Sequence, residues 1–307
     1  MSLRSTTAMN PTLTQYAYGL AQDMSSAIAE FLAPTCRVVA SIGRYKSFDD
    51  KNSFQVLNTE RAIGGPALRL QFSATDGDYN CKPNALEMPI DDAERDPAGG
   101  DDSAMEQAKT KTLVSTTALS HEDKVVGIVK AGLTPVVGVG VWSVAANSPI
   151  EELDAQILAI ATATGMMPNR MVIGLGAWNV VRNHPMVIAR FPGAAIVGVT
   201  TAQFSSLLLN PAIEIRIGVL SKDATKFGAT KAAANIIGAC VIPFIASANP
   251  TQYDPSLAKT FVCGSRGNVD GVRIYRAESH RSDIIALDWS EQTKVTGAAC
   301  GCLINVT

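Results

Sequence analysis

Asp76-Gly77-Asp78-Tyr79-Asn80 with Glu87 puts oxygen-bearing side chains at positions one, three, five and twelve of a calcium loop, the spacing by which an EF-hand surrounds its ion. Position six of that motif must turn sharply and is glycine. Here it is Cys81, with Pro83 at position eight and flanks that read as extended, so the segment is better taken as a polar turn. Val172-Ile173-Gly174-Leu175-Gly176-Ala177-Trp178-Asn179 follows a predicted strand and opens a predicted helix, the setting in which glycines let backbone amides approach a pyrophosphate. Asn179 stands at the third glycine position, Trp178 would crowd the approach, and no acid-tipped strand follows about 20 residues on. Close packing of strand on helix accounts for the glycines better. No Gly-x-x-x-x-Gly-Lys-Ser/Thr phosphate loop occurs.

His121, His184 and His280 are the only imidazoles, each in a different predicted segment and none with a cysteine or second histidine at metal spacing. His121-Glu122-Asp123 falls on a predicted long helix, where a charge run reads as a solvated face. Cys300-Gly301-Cys302 is too tightly spaced for the common zinc patterns and reads as core or edge. With Cys36, Cys81, Cys240 and Cys263 it makes six cysteines, without a Cys-x-x-Cys pair and far from the density of a disulfide scaffold. That usage fits a chain made and folded in a reducing cytoplasm. The sequence therefore assigns no catalytic, cofactor-binding or metal-binding residue, and the expectation is a protein without cofactor that is not an enzyme.

The chain has 307 residues, 47% of them hydrophobic, enough for a substantial core. A formal charge of −2 and a pI near 6.0 supply no basic field, which argues against tight sequence-independent DNA binding by the whole molecule. The longest apolar run, Ile236 to Ala248, contains Pro243 and falls short of the roughly 18 residues of a membrane span. Nothing at the N-terminus has the basic region, apolar core and cleavage site of a signal peptide.

The elements behind these residues follow from spacing. A helix is predicted from about Thr12 to Leu32, with Leu20, Met24, Ile28 and Phe31 on one face and Pro34 ending it. Cys36 to Ile42 reads as a strand leading into a polar excursion from Arg44, with Leu68, Leu70 and Phe72 at period two and turns at Gly64-Gly65-Pro66 and Asp76-Gly77-Asp78. A ribbon of that kind cannot bury much surface on itself, because an isolated hairpin is marginal in water. Asp91 to Asp102 is an acidic connector. Ser103-Ala104-Met105-Glu106 has the form of a capping box for a long helix ending near Gly132 and Pro135; the roughly 28 residues between span about 42 Å. Beyond it, Val136 to Val144 reads as a strand and Pro149 to Thr164 as a helix, capped by Ser148 with acids in its first turn. Met171 to Gly174 and Ile213 to Val219 read as strands, Ala177 to His184 and Ala202 to Leu209 as helices, and Ile236 to Ile245 as a strand buried on both faces. Val272 to Arg276, Asp283 to Trp289 and Cys302 to Val306 read as strands of one antiparallel sheet closing an α+β domain.

This order resembles that of the major capsid proteins of tailed bacteriophages. The likeness covers most of the chain and rests on segment order together with loose patterns: Arg44-Tyr45 entering the excursion, Tyr79 to Glu87 leaving it, the long helix, and Ser282-Asp283-Ile284-Ile285 with a last strand near the terminus. It implies the HK-97-like α+β fold, with an N-terminal arm at residues 1–34 and an extended β loop region at 35–90. A peripheral domain with a spine helix would occupy 91–170, an axial domain 171–264, and return strands of the peripheral domain 265–307. It further implies pentamers and hexamers closing into an icosahedral shell around double-stranded DNA, contacted weakly and without sequence specificity. The partners implied are the chain itself, a portal and, as in some members of that family, a decoration protein, and the short stretch before the loop strand points to a scaffolding protein made separately. The protein would sit in the virion, assembled in bacterial host cytoplasm. An encapsulin-like compartment shell of related fold is the alternative of the same class; a soluble α/β enzyme with a nucleotide on the turn from Gly174 to Asn179 is the alternative of another.

Overall fold

The computed structural model describes residues 27–47, 59–61, 63–65, 75–95, 102–191, 198–223, 225, 230, 232–263 and 272–307. In chain order the first elements are helix α1 (Ala29–Leu32) and strands β1 (Thr35–Val38), β2 (Ile42–Ser47), β3 (Thr75–Asn80) and β4 (Lys82–Asp91). Helices α2 (Asp92–Arg95), α3 (Asp102–Gly132) and α4 (Pro149–Thr164) follow, then β5 (Arg170–Gly174), α5 (Leu175–Arg182), α6 (Pro185–Ile188) and α7 (Thr201–Leu207). The rest is β6 (Glu214–Gly218), β7 (Ser221–Asp223), β8 (Ala233–Asn235), β9 (Cys240–Phe244), β10 (Ala258–Cys263), β11 (Val272–Ala277), β12 (Ser282–Val295) and β13 (Ile304–Asn305).

Two sheets carry the body. In the larger, the 14 residues of β12 pair antiparallel with the whole of β4 along one edge, and with β11 and then β10 along the other; β10 continues in parallel to β1. Leu86, Met88 and Ile90 alternate with more exposed neighbours along β4, so they share one face and meet Leu113 and Met105 of α3, with Val272, Ile274, Ile285 and Leu287 beside them. The smaller sheet runs β13-β9-β5-β6, with β5 and β6 parallel. All five residues of β9 are buried, as an unbroken apolar run predicts. A core of Leu153, Ile157, Met171, Ile173, Ala177 and Phe204 packs α4, α5 and α7 around that sheet.

Helix α3 has 31 residues, about 46 Å of rod at 1.5 Å per residue. It begins at Asp102, so Ser103 lies inside its first turn and not at the cap position that the Ser-x-x-Glu spacing predicts. It ends at Gly132, where the chain crosses β12 closely enough to require glycine: a Cβ there would sit 2.6 Å from a Val295 methyl. Helix α4 matches its sequence signals throughout. The Ser148 side chain accepts the Glu151 N–H, Pro149 opens the helix, and Gly165 closes it in the left-handed region at φ +68.

Three expectations are corrected. Val136 to Val144 forms no strand: Gly138 and Gly140 take φ +79 and +93, which bends the valine-rich segment into a loop. Glu152 pins that loop by accepting the Gly140 N–H at 2.8 Å and the Trp142 indole N–H at 2.6 Å. The last strand joins the smaller sheet and not the antiparallel sheet of β11 and β12; β13 pairs with β9, the Val306 N–H reaches Ala239 O, and the Val136 N–H reaches Leu303 O. The strand predicted from Cys36 to Ile42 breaks after Val38 and resumes as the separate β2. Of the predicted N-terminal helix, Leu20 and Met24 lie outside the described residues, as do Leu68, Leu70 and Phe72 of the excursion; Ile28 and Phe31 belong to the single turn α1 and its cap.

Candidate assembly interface

Strands β2 and β3 pair only with each other among the described residues, from Ile42 opposite Asn80 to Ser47 opposite Thr75. The register sets Gly43 against Tyr79 and Tyr45 against Gly77. Each ring lies across the facing glycine: a Cβ on Gly43 would come 2.5 Å from Tyr79 Cζ, and one on Gly77 2.6 Å from Tyr45 Oη. Both rings then stack on Phe261 of β10, Tyr79 at 4.6 Å between centres and Tyr45 at 5.5 Å. Cys36, Val38, Cys81 and Cys263 complete this small core at the ribbon's root. The Cys81 thiol donates to Phe261 O at 3.4 Å, and burial, with Cys263 nearby, pushes its pKa up to about 11. The opposite face of the ribbon is exposed: Ile42 is 66% accessible, and Arg44 meets Asp78 at 3.5 Å in open solvent, an ion pair of little energetic weight.

The loop before β10 clamps the root. Lys259 is fully buried, and its ammonium donates to Thr251 O and Asp254 O, each at 2.7 Å, and to Asp254 Oδ1 at 3.0 Å. Burial alone would raise the Asp254 pKa; the Thr251 N–H, the Thr251 hydroxyl and Lys259 outweigh it and hold the carboxyl below its ordinary value. From the loop so fixed, Gln252 O accepts the Lys46 N–H at 3.2 Å and the Gln252 amide donates to the Tyr79 hydroxyl at 3.3 Å. On the other side Gln292 of β12 accepts the Asn80 N–H at 2.5 Å. A two-stranded ribbon is thus held to the body by one face and presents the other to solvent.

His121, Glu122 and Asp123 do not form a solvated face. Each turns to a different element: His121 meets Glu291 of β12 at 3.0 Å, Glu122 is 2% exposed against the chain at Ile28, and Asp123 pairs with Lys222 of β7 at 2.6 Å. Burial would raise the Glu291 pKa, but the His121 hydrogen bond and charge, with Lys124 and Trp289, bring it down to about 2. The long helix is anchored through its polar residues as well as its apolar ones. Sequence spacing carried no sign of this, because the partners lie far away in the chain.

The patterns with chemical potential are accounted for by packing. A Cβ on Gly174 would overlap the Gly238 carbonyl oxygen, and one on Gly176 would touch Ala239 at 3.4 Å, so main chain fills the space a pyrophosphate needs. Trp178 packs edge-on to Phe204 at 5.9 Å. Asp78, Asn80 and Glu87 lie on two successive extended strands, with Glu87 accepting the Tyr275 hydroxyl at 3.0 Å, and no loop gathers them. His184 caps α6 through the Met186 N–H, and His280 lies beside Ser279 on the surface, so the three imidazoles stay apart. Among the described residues no group of three or more His, Cys, Asp or Glu side chains is placed to hold a metal ion.

An α+β body with a ribbon clamped at its root, a long helix across the larger sheet and a separate smaller sheet is the fold of tailed-phage capsid proteins. No protein-family model matches the chain, and no curated protein is similar to it by sequence. Among solved structures it is similar to a phage-related protein from Bordetella bronchiseptica, 22% identical over 97% of each chain with a TM-score of 0.75. The mature capsid of bacteriophage PhiM1 is 12% identical over 90% of this chain and 86% of that one, TM-score 0.55. The capsid of cyanophage P-SCSP1u is 11% identical over 92% and 88%, also at 0.55.

Proposed function

We propose that this chain is a major capsid protein of the tailed-phage type, a structural subunit without enzymatic activity that assembles as pentamers and hexamers into a closed icosahedral shell around double-stranded DNA. The observation that carries the reading is the ribbon β2–β3, packed by one face and exposed on the other, on a body of capsid fold. An exposed ribbon gains its missing burial from a neighbour, and a ring of such contacts closes by symmetry. The arm, loop, peripheral and axial regions take the bounds that the sequence implies, residues 1–34, 35–90, 91–170 with 265–307, and 171–264, except that β1 and β4 are strands of the larger sheet and β13 of the smaller. Assembly uses a separate scaffolding protein and a portal in the host cytoplasm, and the product is the virion shell. The net charge of −2 suits a wall that holds DNA weakly and without reading its sequence.

Light scattering and negative-stain microscopy of the purified chain, with scaffold supplied, test this. Closed particles are expected; a stable monomer or dimer under all conditions counts against it. Particles that hold a co-purifying protein instead of nucleic acid would indicate the compartment shell.

A further inference from the structure

Glu122 sits in the body of helix α3 with both carboxylate oxygens turned to main chain and not to a cation. The Ile28 N–H reaches Oε1 at 2.9 Å and Oε2 at 3.1 Å, and the Ala29 N–H reaches Oε2 at 2.8 Å. These donors open α1, where no intrahelical acceptor exists, and α1 has no capping side chain of its own. A carboxylate from 93 residues away does the work of the missing cap. On the far side of the same turn, Arg170 of β5 donates to Phe31 O at 3.0 Å, and the guanidinium groups of Arg170 and Arg216 stand 4.8 and 4.4 Å from the Phe31 ring centre. Ile28, Phe31 and Leu32 are buried in the apolar cluster that also contains Val125, Val126 and Val129 of α3 and Phe244 of β9.

We propose that Glu122 is the positioning residue for the root of the N-terminal segment: it seats Ala29–Leu32 as a wedge between helix α3 and the smaller sheet, fixing the place of the chain at Ile28. Apolar contacts favour the wedge but do not fix its rotation, whereas two buried N–H groups demand an oxygen at one place. The wedge is a property of the subunit alone. Its consequence for assembly, that the arm starts toward a neighbour from a fixed point, rests on the capsid reading.

The ionisable groups around Glu122 are His121 and Asp123 beside it on α3, Lys222 of β7 paired to Asp123, Glu30 exposed on α1, and Arg170, Arg216 and Glu214 on β5 and β6 beyond Phe31. Burial raises the Glu122 pKa, opposed by the Ile28 and Ala29 N–H bonds and by His121. Folding therefore takes up a proton at Glu122, so the group's net contribution is complete below the ordinary glutamate pKa and declines as pH rises through the raised value, while the two N–H donors themselves favour the ionised form.

Hydrogen exchange of the whole chain, comparing wild type with Glu122→Ala and Glu122→Gln, tests the assignment. Removing both oxygens should speed exchange of amides 29–33 about tenfold or more, while amides 125–129 of α3 change less than about threefold. Glutamine keeps one acceptor and cannot titrate, so its acceleration should be smaller and, after correction for intrinsic exchange, free of the pH dependence seen in wild type. Exchange within about twofold of wild type in both variants, or loss of protection spread evenly over the chain, overturns the assignment. If Glu122→Ala does not fold, the exchange of amides 29–33 against 125–129 in Glu122→Gln decides. Particle formation, scored separately, keeps the two ideas apart: a wild type that never assembles removes the capsid reading and leaves the wedge. Normal shells from a variant with a released root remove the assembly consequence.

Discussion

The Tyr79 ring covers Gly43 on the facing strand, with the position of a Gly43 Cβ only 2.5 Å from Tyr79 Cζ. Tyr79 is 3% exposed and stacked nearly parallel on Phe261, at an interplanar angle of 13°. The ring has nowhere to retreat. Gly43→Ala should therefore separate ring and strand and cost about 1–3 kcal/mol at the root, as overpacking does in cores. The loss should appear as faster hydrogen exchange in 42–47 and 77–80 with little change in helix α4. Alanine at Gly43 without effect on that exchange would mean the ring is not locked.

Asp254 and Lys259 supply a second prediction. Asp254→Ala leaves a fully buried ammonium with carbonyl partners only and should cost about 3–5 kcal/mol in a urea melt. Lys259→Met with Asp254→Asn removes both charges and should recover a large part of that loss. A double variant no better than the single one would show that the loop needs the ammonium's hydrogen bonds and not its charge balance.

Acid sensitivity follows from Glu291. Its pKa is lowered from 4.5 to about 2 in the folded chain, so the unfolded chain binds the proton more tightly. The stabilisation is present above about pH 4.5 and lost as pH falls toward 2, and is on the order of 3 kcal/mol at most. In Glu291→Gln the part of the acid unfolding curve between those values should flatten. An unchanged slope there would place the acid sensitivity elsewhere.

Proline at Thr116, near the middle of helix α3, should cost about 3 kcal/mol or more by removing a backbone bond and clashing with the preceding turn. Thr116→Ala, which loses only the hydroxyl's 2.8 Å bond to Thr112 O, is the control for side-chain loss and should assemble. Gly127→Ala is the opposite control, since its Cβ would meet nothing within 4 Å and the helix should gain about 0.5–1 kcal/mol. Normal closed shells from Thr116→Pro, seen by microscopy, would remove the helix from any mechanical role.

What the sequence disclosed was local. Ser148-Pro149 with its acids marks the start of α4 because a cap acts within one turn, and the run at β9 reads as doubly buried because every residue there is. Val136 to Val144 misled because β-branched content was weighed above Gly138 and Gly140, whose positive φ values decide the path. His121-Glu122-Asp123 misled for another reason: their partners Glu291, Ile28 and Lys222 are remote in sequence, and a charge run is ambiguous until those partners are placed. The glycine and tyrosine pairs of the ribbon were equally silent, since only the register brings them face to face.

The place of β13 bears on how the chain is made. Synthesis delivers β5, β6 and β9 long before Ile304–Asn305, which comes after the entire larger sheet has been translated. Until then one edge of the buried strand β9 offers its amides and carbonyls to any extended segment, including that of another nascent copy. On a polysome, where many identical chains grow side by side, the smaller sheet is thus the part that stays open longest, since β13 is the last of its strands to be made.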